Sequence, residues 1–297
     1  MIASHNHVPR WAAVCGVLLG FAFLAGCSGP GPSTGAAASG QSSNGAQGTA
    51  DVLTRIKQSK VLKCASSNDP PVLYKNKEGD PAGLFYDLLK QMFAKQGLTD
   101  FTVKPEYMPF QSVIPALQSG RVDLVCDTMN MTPERKQQID FTLPIINNTD
   151  IVVVAKGNPA GIHLYGDMKG KICGTYEGTL WVPWCNELGK STKVFQTQQD
   201  TIAGVAANRV DGAFLDILSA SYALRENPSL AVELANPYTP KDAESTINYA
   251  AMGIRKDSDD LRQFLDDAYR KMRADGSFEA LLKKWGYDPT NMLTKID

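Results

Sequence analysis

Histidine is almost absent from this 297-residue chain. Only His5, His7 and His163 occur, and the first two fall in an N-terminal stretch with the character of a removable leader. A histidine-rich metal site is excluded by count. A Ser/His/Asp or Cys/His nucleophile would have to rest on His163 alone. That residue follows the turn-prone run Lys156-Gly157-Asn158-Pro159-Ala160-Gly161 and reads as a solvated loop residue. Blocks of like charge are also missing: 31 acidic residues stand against 30 basic ones. This excludes the basic stripe that a nucleic-acid partner requires. No C-x-x-C spacing exists among the six cysteines, which argues against a cysteine-held zinc ion. No tandem repeat of about 20 to 50 residues is present. Neither a metal nor a cofactor is expected.

The N-terminus reads as an address. Met1 to Arg10 is polar and carries the positive charge of Arg10; Trp11 to Ala25 is apolar and small. The apolar run is too short for a membrane-spanning helix of about 20 residues, and the whole has the shape of a secretory signal peptide. It ends in Leu24-Ala25-Gly26-Cys27, which resembles the bacterial lipoprotein box, in which the cysteine is lipidated and becomes the new N-terminus. Residues 1–26 are therefore expected to be removed and Cys27 to carry lipid. Residues 27–50, rich in Gly, Ser, Ala, Gln and Pro, lack the apolar residues needed for a core and read as a flexible tether. Export places the four remaining cysteines, Cys64, Cys126, Cys173 and Cys185, in an oxidising setting. They allow two disulfides in any of three connectivities, or buried thiols.

From Asp51 onward, strands and helices alternate. Short apolar strands are read at Val61–Ala65, Phe101–Val103, Val122–Cys126, Asp150–Ala155, Lys171–Cys173, Ala213–Asp216 and Asn248–Arg255. Helical spacing links Leu84, Phe85, Leu88, Leu89, Met92 and Phe93, with Gly97 as the stop. It returns at Val113–Leu117, at Ile217–Glu226, at Leu261–Met272 and at Phe278–Trp285. Thr132-Pro133-Glu134 has the form of a helix start: a capping hydroxyl, proline at the first position and an acid near the positive end of the dipole. Two α/β units with mainly parallel sheets follow from this order.

Three segments together resemble family 3 of the bacterial extracellular solute-binding proteins, the polar amino-acid receptors of ABC transporters. They are Ile114–Leu124 (IPALQSGRVDL), Met129–Arg135 (MNMTPER) followed by Ile139-Asp140-Phe141, and Met272–Phe278 (MRADGSF) closing on Lys284-Trp285-Gly286. The resemblance implies a two-lobed, type II periplasmic-binding-protein-like α/β fold. Lobe 1 would comprise 51–147 and 248–297, lobe 2 would comprise 148–247, and two crossing strands would form the hinge. It also favours Cys64–Cys126 and Cys173–Cys185 as the disulfides, one inside each lobe.

The same resemblance implies a ligand site in the cleft between lobes. Arg135 would hold a carboxylate through its planar fork of donors, and Asp216 would hold an ammonium. Thr128 and Asn130, read as a loop after the strand, would contact both ligand ends, with Asn130 standing where serine or threonine is usual. Gly178 and Thr179 would offer backbone N–H groups to the carboxylate; Leu180 stands where a second threonine is common. Phe110 matches one wall of an aromatic sandwich. The other wall falls on Asp69, an acid, and with Glu177 nearby this favours a polar or cationic ligand. The expected function is capture of an amino acid or a similar small molecule and its delivery to a membrane permease. No catalysis is expected, and the protein is expected to act as an exported, lipid-anchored monomer of the cell envelope. The competing reading is an enzyme like cyclohexadienyl dehydratase on the same scaffold.

Overall fold

The computed structural model describes residues 51–241 and 248–289. The leader, Cys27 and the tether lie outside them. In chain order the strands are β1 (Val61–Ser66), β2 (Tyr74–Lys75), β3 (Pro81–Ala82), β4 (Thr102–Tyr107), β5 (Leu124–Asn130), β6 (Asp140–Phe141), β7 (Ile146–Asn147), β8 (Asp150–Ala155), β9 (Ile172–Tyr176), β10 (Ser191–Phe195), β11 (Gly212–Asp216), β12 (Val232–Leu234) and β13 (Tyr249–Ile254). The helices are α1 (Val52–Ser59), α2 (Leu84–Lys95), α3 (Val113–Gln118), α4 (Pro133–Gln138), α5 (Trp181–Leu188), α6 (Gln198–Ala206), α7 (Ile217–Glu226), α8 (Asp259–Ala274) and α9 (Ser277–Lys284).

Eleven of these strands form two sheets built on one plan, and β2 pairs with β3 in a separate two-stranded ribbon. The first runs β4-β1-β5-β13-β6, with β7 also on β13; the second runs β10-β9-β11-β8-β12. In each, three strands are parallel (β4, β1 and β5; β10, β9 and β11). In each, the strand that arrives from the other lobe runs antiparallel: β13 beside β5, and β8 beside β11. Parallel strands need crossover helices, so helices cover these sheets. The fold is the two-lobed α/β architecture of the periplasmic-binding proteins.

The first sheet is buried on both faces. Leu124 and Cys126 point into a core with α2, α8 and α9, whereas Val125 and Met129 point into a second core with Val113 and Leu117. This is the two-residue alternation of a strand. All six apolar positions of the α2 stripe are buried. The entry to α2 demands glycine: Gly83 has φ +137°, and a Cβ there would sit 2.3 Å from the Val72 carbonyl oxygen. The second sheet has its own core, centred on Val152, Val153, Phe214, Leu215 and Trp181.

A disulfide joins Cys64 on β1 to Cys126 on β5, and another joins Cys173 on β9 to Cys185 on α5, so the first ties two strands of one sheet and the second ties a helix to the other sheet. One sequence expectation is corrected here. The strand expected at Val122–Cys126 begins at Leu124 and runs on to Asn130, so Thr128 and Asn130 are strand residues and not loop residues. Backbone pairing of Ala250 with Asn130 and of Ala251 with Met129 extends β5 past the point where its apolar run ends. Local sequence does not reveal that partner.

Candidate functional site

The C-terminal ends of β1, β5, β9 and β11 converge on one gap, the position where open α/β sheets place ligands. A crevice in this gap is lined from the first lobe by Phe110, Thr128, Asn130 and Arg135. From the second lobe it is lined by Tyr176, Thr179, Leu180, Trp181 and Asp216. Five of the residues singled out from the sequence thus meet with Asp216 around one space. The crevice has room for about one water molecule, at about 10 Å³.

Arg135 sits in the first turn of α4. The Thr132 hydroxyl caps that turn by accepting the Arg135 backbone N–H at 3.3 Å. The guanidinium is buried and gives two of its five N–H bonds to carbonyl oxygens, Asn130 at 3.0 Å and Gly178 at 3.2 Å. It lies 5.2 Å from the Phe110 ring centroid, within cation–π range. Arg135 forms no ion pair among the described residues. Burial therefore lowers its pKa to about 10, which still leaves it fully charged at neutral pH. Gly178 approaches the opposite lobe closely: it has φ +82°, and a Cβ there would lie 3.0 Å from the backbone of Gln111.

Asp216 ends β11 and caps α7, accepting the Ser219 N–H at 2.8 Å. The cap and the cleft-lining position are one and the same, since its residue belongs to the crevice wall. Ser219 also ties the lobes together: its hydroxyl donates to Asp69 at 2.9 Å. A third acid, Asp127 on β5, lies behind the turn that carries Asp69 and accepts the Ser67 N–H with both oxygens, at 3.1 and 2.9 Å. All three carboxyls are buried, and none forms an ion pair among the described residues.

Removal from water is the first cause of their shifted proton affinity. It raises Asp69 well above the ordinary range, helped by the negative charges of Asp216 and Asp127. It raises Asp127 to about 6, and it raises Asp216 against the opposing hydrogen bonds from Ser219. The Tyr176 hydroxyl is also raised, first by burial and then by the three acids.

Beyond Phe110 and Tyr176, whose rings meet edge to face at 6.0 Å, a larger cavity of about 300 Å³ opens. Asp69, Tyr107 and Gln198 are among its walls. Phe110 and Tyr176 line both spaces, so the crevice and the cavity adjoin. Two residues flagged from the sequence stand apart from the acids. Gly178 contributes its carbonyl to Arg135 but is itself exposed. Glu177 is exposed at the rim, accepting from Gln111 at 3.0 Å and Gln196 at 3.4 Å. Sequence reasoning missed Asp127, Tyr176, Gln198 and Ser219. Asp127 was the most accessible of these, because an acid directly after the apolar pair Val125-Cys126 is out of place in a buried strand.

Residues 62–288 match the family described as bacterial extracellular solute-binding proteins, family 3. The histidine-binding periplasmic protein of Salmonella typhimurium is 30% identical over 220 residues, covering 72% of this chain and 83% of that protein. An ancestral arginine-binding protein solved with arginine superposes with a TM-score of 0.67 at 28% identity, covering 76% of this chain and 98% of that one. An ancestral amino acid-binding protein described as a precursor of cyclohexadienyl dehydratase gives a TM-score of 0.67 at 25% identity, covering 80% and 99%. With the family match spanning most of its length and the two-lobed fold around a charged cleft, the chain belongs to family 3 of the bacterial extracellular solute-binding proteins.

Proposed function

We propose that this protein is the receptor of an ABC importer, capturing an amino acid between its lobes and presenting it to a membrane permease. The observation that carries this reading is the pair formed by Arg135 and Asp216. A buried guanidinium without an acid stands on one lobe, and a buried carboxylate without a base on the other, and both line one crevice. A zwitterion supplies the missing partner for each: its carboxylate suits the guanidinium fork and its ammonium suits Asp216. Thr128, Asn130 and Thr179 would complete the polar shell, and Phe110 would pack on the ligand.

The crevice is too small for the α-carbon end of an amino acid, so binding requires the lobes to part and close again. We assign the moving bodies to 51–147 with 248–297 and to 148–247, with the crossing strands β8 and β13 as the hinge. The signal-like sequence of residues 1–26 and the lipoprotein-box cysteine Cys27 support attachment to the envelope through lipid, with residues 27–50 as a tether. Metabolic labelling with a radioactive fatty acid tests this, since a Cys27→Ala chain should carry no label.

Titration calorimetry with L-arginine and L-histidine tests the receptor reading. The wild-type protein should bind at least one of them, and Arg135→Ala should weaken that binding by more than 100-fold while the circular dichroism spectrum stays native. Unchanged affinity in the variant would remove Arg135 from the site. The dehydratase reading draws on the raised proton affinity of Asp69, which suits a general acid. Prephenate carries two carboxylates, and the crevice offers one buried cation, Arg135, among the described residues to hold them; an unchanged absorbance spectrum on incubation with prephenate is the expected result.

A further inference from the structure

Charge in the cleft does not balance for an ordinary zwitterion. Arg135 and Asp216 line the crevice as its one buried cation and its one buried acid among the described residues, and two more buried carboxyls, Asp69 and Asp127, stand near enough to Asp216 to raise one another's proton affinity. An α-carboxylate answers Arg135 and an α-ammonium answers Asp216. Asp69 remains as a wall of the larger cavity, and Asp127 remains hydrogen-bonded to Ser67, another residue of that wall. We infer that this cavity is a side-chain subsite for a cation, with Asp69 as its specificity-determining residue and Asp127 as the charge behind it. The inference rests on the receptor reading above and adds the class of ligand: an amino acid bearing a guanidinium or a second ammonium.

Three further features support it. Asp69 and Gln198 both wall the cavity, both are more than nine-tenths buried, and each has a side-chain oxygen (Oδ1 and Oε1) without a hydrogen-bond partner. The Tyr107 hydroxyl, in the same wall, is likewise without a partner. Buried acceptors of this kind are costly unless a donor arrives, and a guanidinium brings five N–H donors and no acceptor. The volume of about 300 Å³ is at the small end of ligand pockets, enough for a side chain of arginine or lysine length. Finally, Phe110, Tyr107 and Tyr176 present aromatic surface to the same space, which favours a cation over an anion.

L-citrulline is the decisive probe, because it keeps the outline of arginine while replacing the guanidinium with a neutral urea group. Calorimetry on the full chain at pH 7.5 should give L-arginine or L-lysine at least 100-fold tighter binding than L-citrulline. Asp69→Asn should shrink the arginine-to-citrulline ratio at least tenfold, and Asp127→Asn should shrink it by a smaller factor. Citrulline binding within threefold of the cationic amino acids, or tight binding of neutral amino acids alone, overturns the cationic subsite and leaves the receptor reading standing. If no amino acid binds, both fall together. Should Asp69→Asn fail to fold, the wild-type ratio decides.

Discussion

The two ends of the cleft solve the burial of charge in opposite ways. At one end a single guanidinium is held by two carbonyl oxygens and an aromatic face. At the other, three carboxyls crowd together, supported by one serine side chain and a few backbone N–H groups. Both ends pay for desolvation, but the consequences differ. The guanidinium starts so far above neutrality that a fall to about 10 leaves its charge intact. A carboxyl starts low, and burial lifts it toward the physiological range, as with Asp127 at about 6. The arginine end is therefore a constant cation, whereas the acidic end changes its charge with pH and with what it binds.

The largest expected effect separates the ends by charge. Asp216→Asn keeps an acceptor for the helix cap but removes the charge, so calorimetry with L-arginine should show a loss of 100-fold or more. Thermal melting of the ligand-free variant should be unchanged or higher, because one member of a repelling cluster has gone. A lower melting point with equal affinity would make Asp216 a structural residue only.

Stability against pH should follow the acidic end. A carboxyl raised in the folded state binds more protons folded than unfolded, so its contribution is complete below the unfolded value of about 3.8 and is lost as pH rises through about 6. Urea unfolding of the ligand-free protein should show stability falling by about 1–3 kcal/mol from pH 4.5 to 6.5. In Asp127→Asn the slope should flatten, and saturating L-arginine should reverse it. A slope identical in wild type and variant would place the titration elsewhere.

A smaller effect is expected where the ends meet. Phe110→Ala removes the face under Arg135 and part of the wall between crevice and cavity, and affinity for L-arginine should fall about tenfold. The smallest belongs to Glu177→Gln. That acid is exposed, so calorimetry should show a change of less than about twofold. A larger loss would extend the acidic end to the rim.

Much of this arrangement was legible from residues alone. The apolar stripe of α2, the Thr132-Pro133 start of α4 and the acid closing β11 are local patterns, and each became the element expected. Helix α1 was missed although it carries a local signal, an Asp51 cap ahead of buried Val52, Leu53 and Ile56. Strand β10, whose residues are mostly exposed, and helix α6, with its low apolar contrast, are held in place by neighbours more than by their own periodicity. The extension of β5 through Thr128 and Asn130 depends on pairing with β13, 120 residues later in the chain for Asn130 and Ala250.

Sequence by itself determined the alternation of strands and helices and the four cysteines available for cross-links, and three motifs that resemble a known family pointed to the two charged residues that line the crevice. Such features are written in spacing and residue type over a few positions. Tertiary structure alone decided that Asp127 lies behind Asp69, that Ser219 bridges two acids from opposite lobes, and that Glu177 turns to solvent. The reason is physical. Whether a carboxyl is strengthened, neutralised or hydrated depends on what desolvates it and what charge stands nearby, and those neighbours come from strands and helices far apart along the chain.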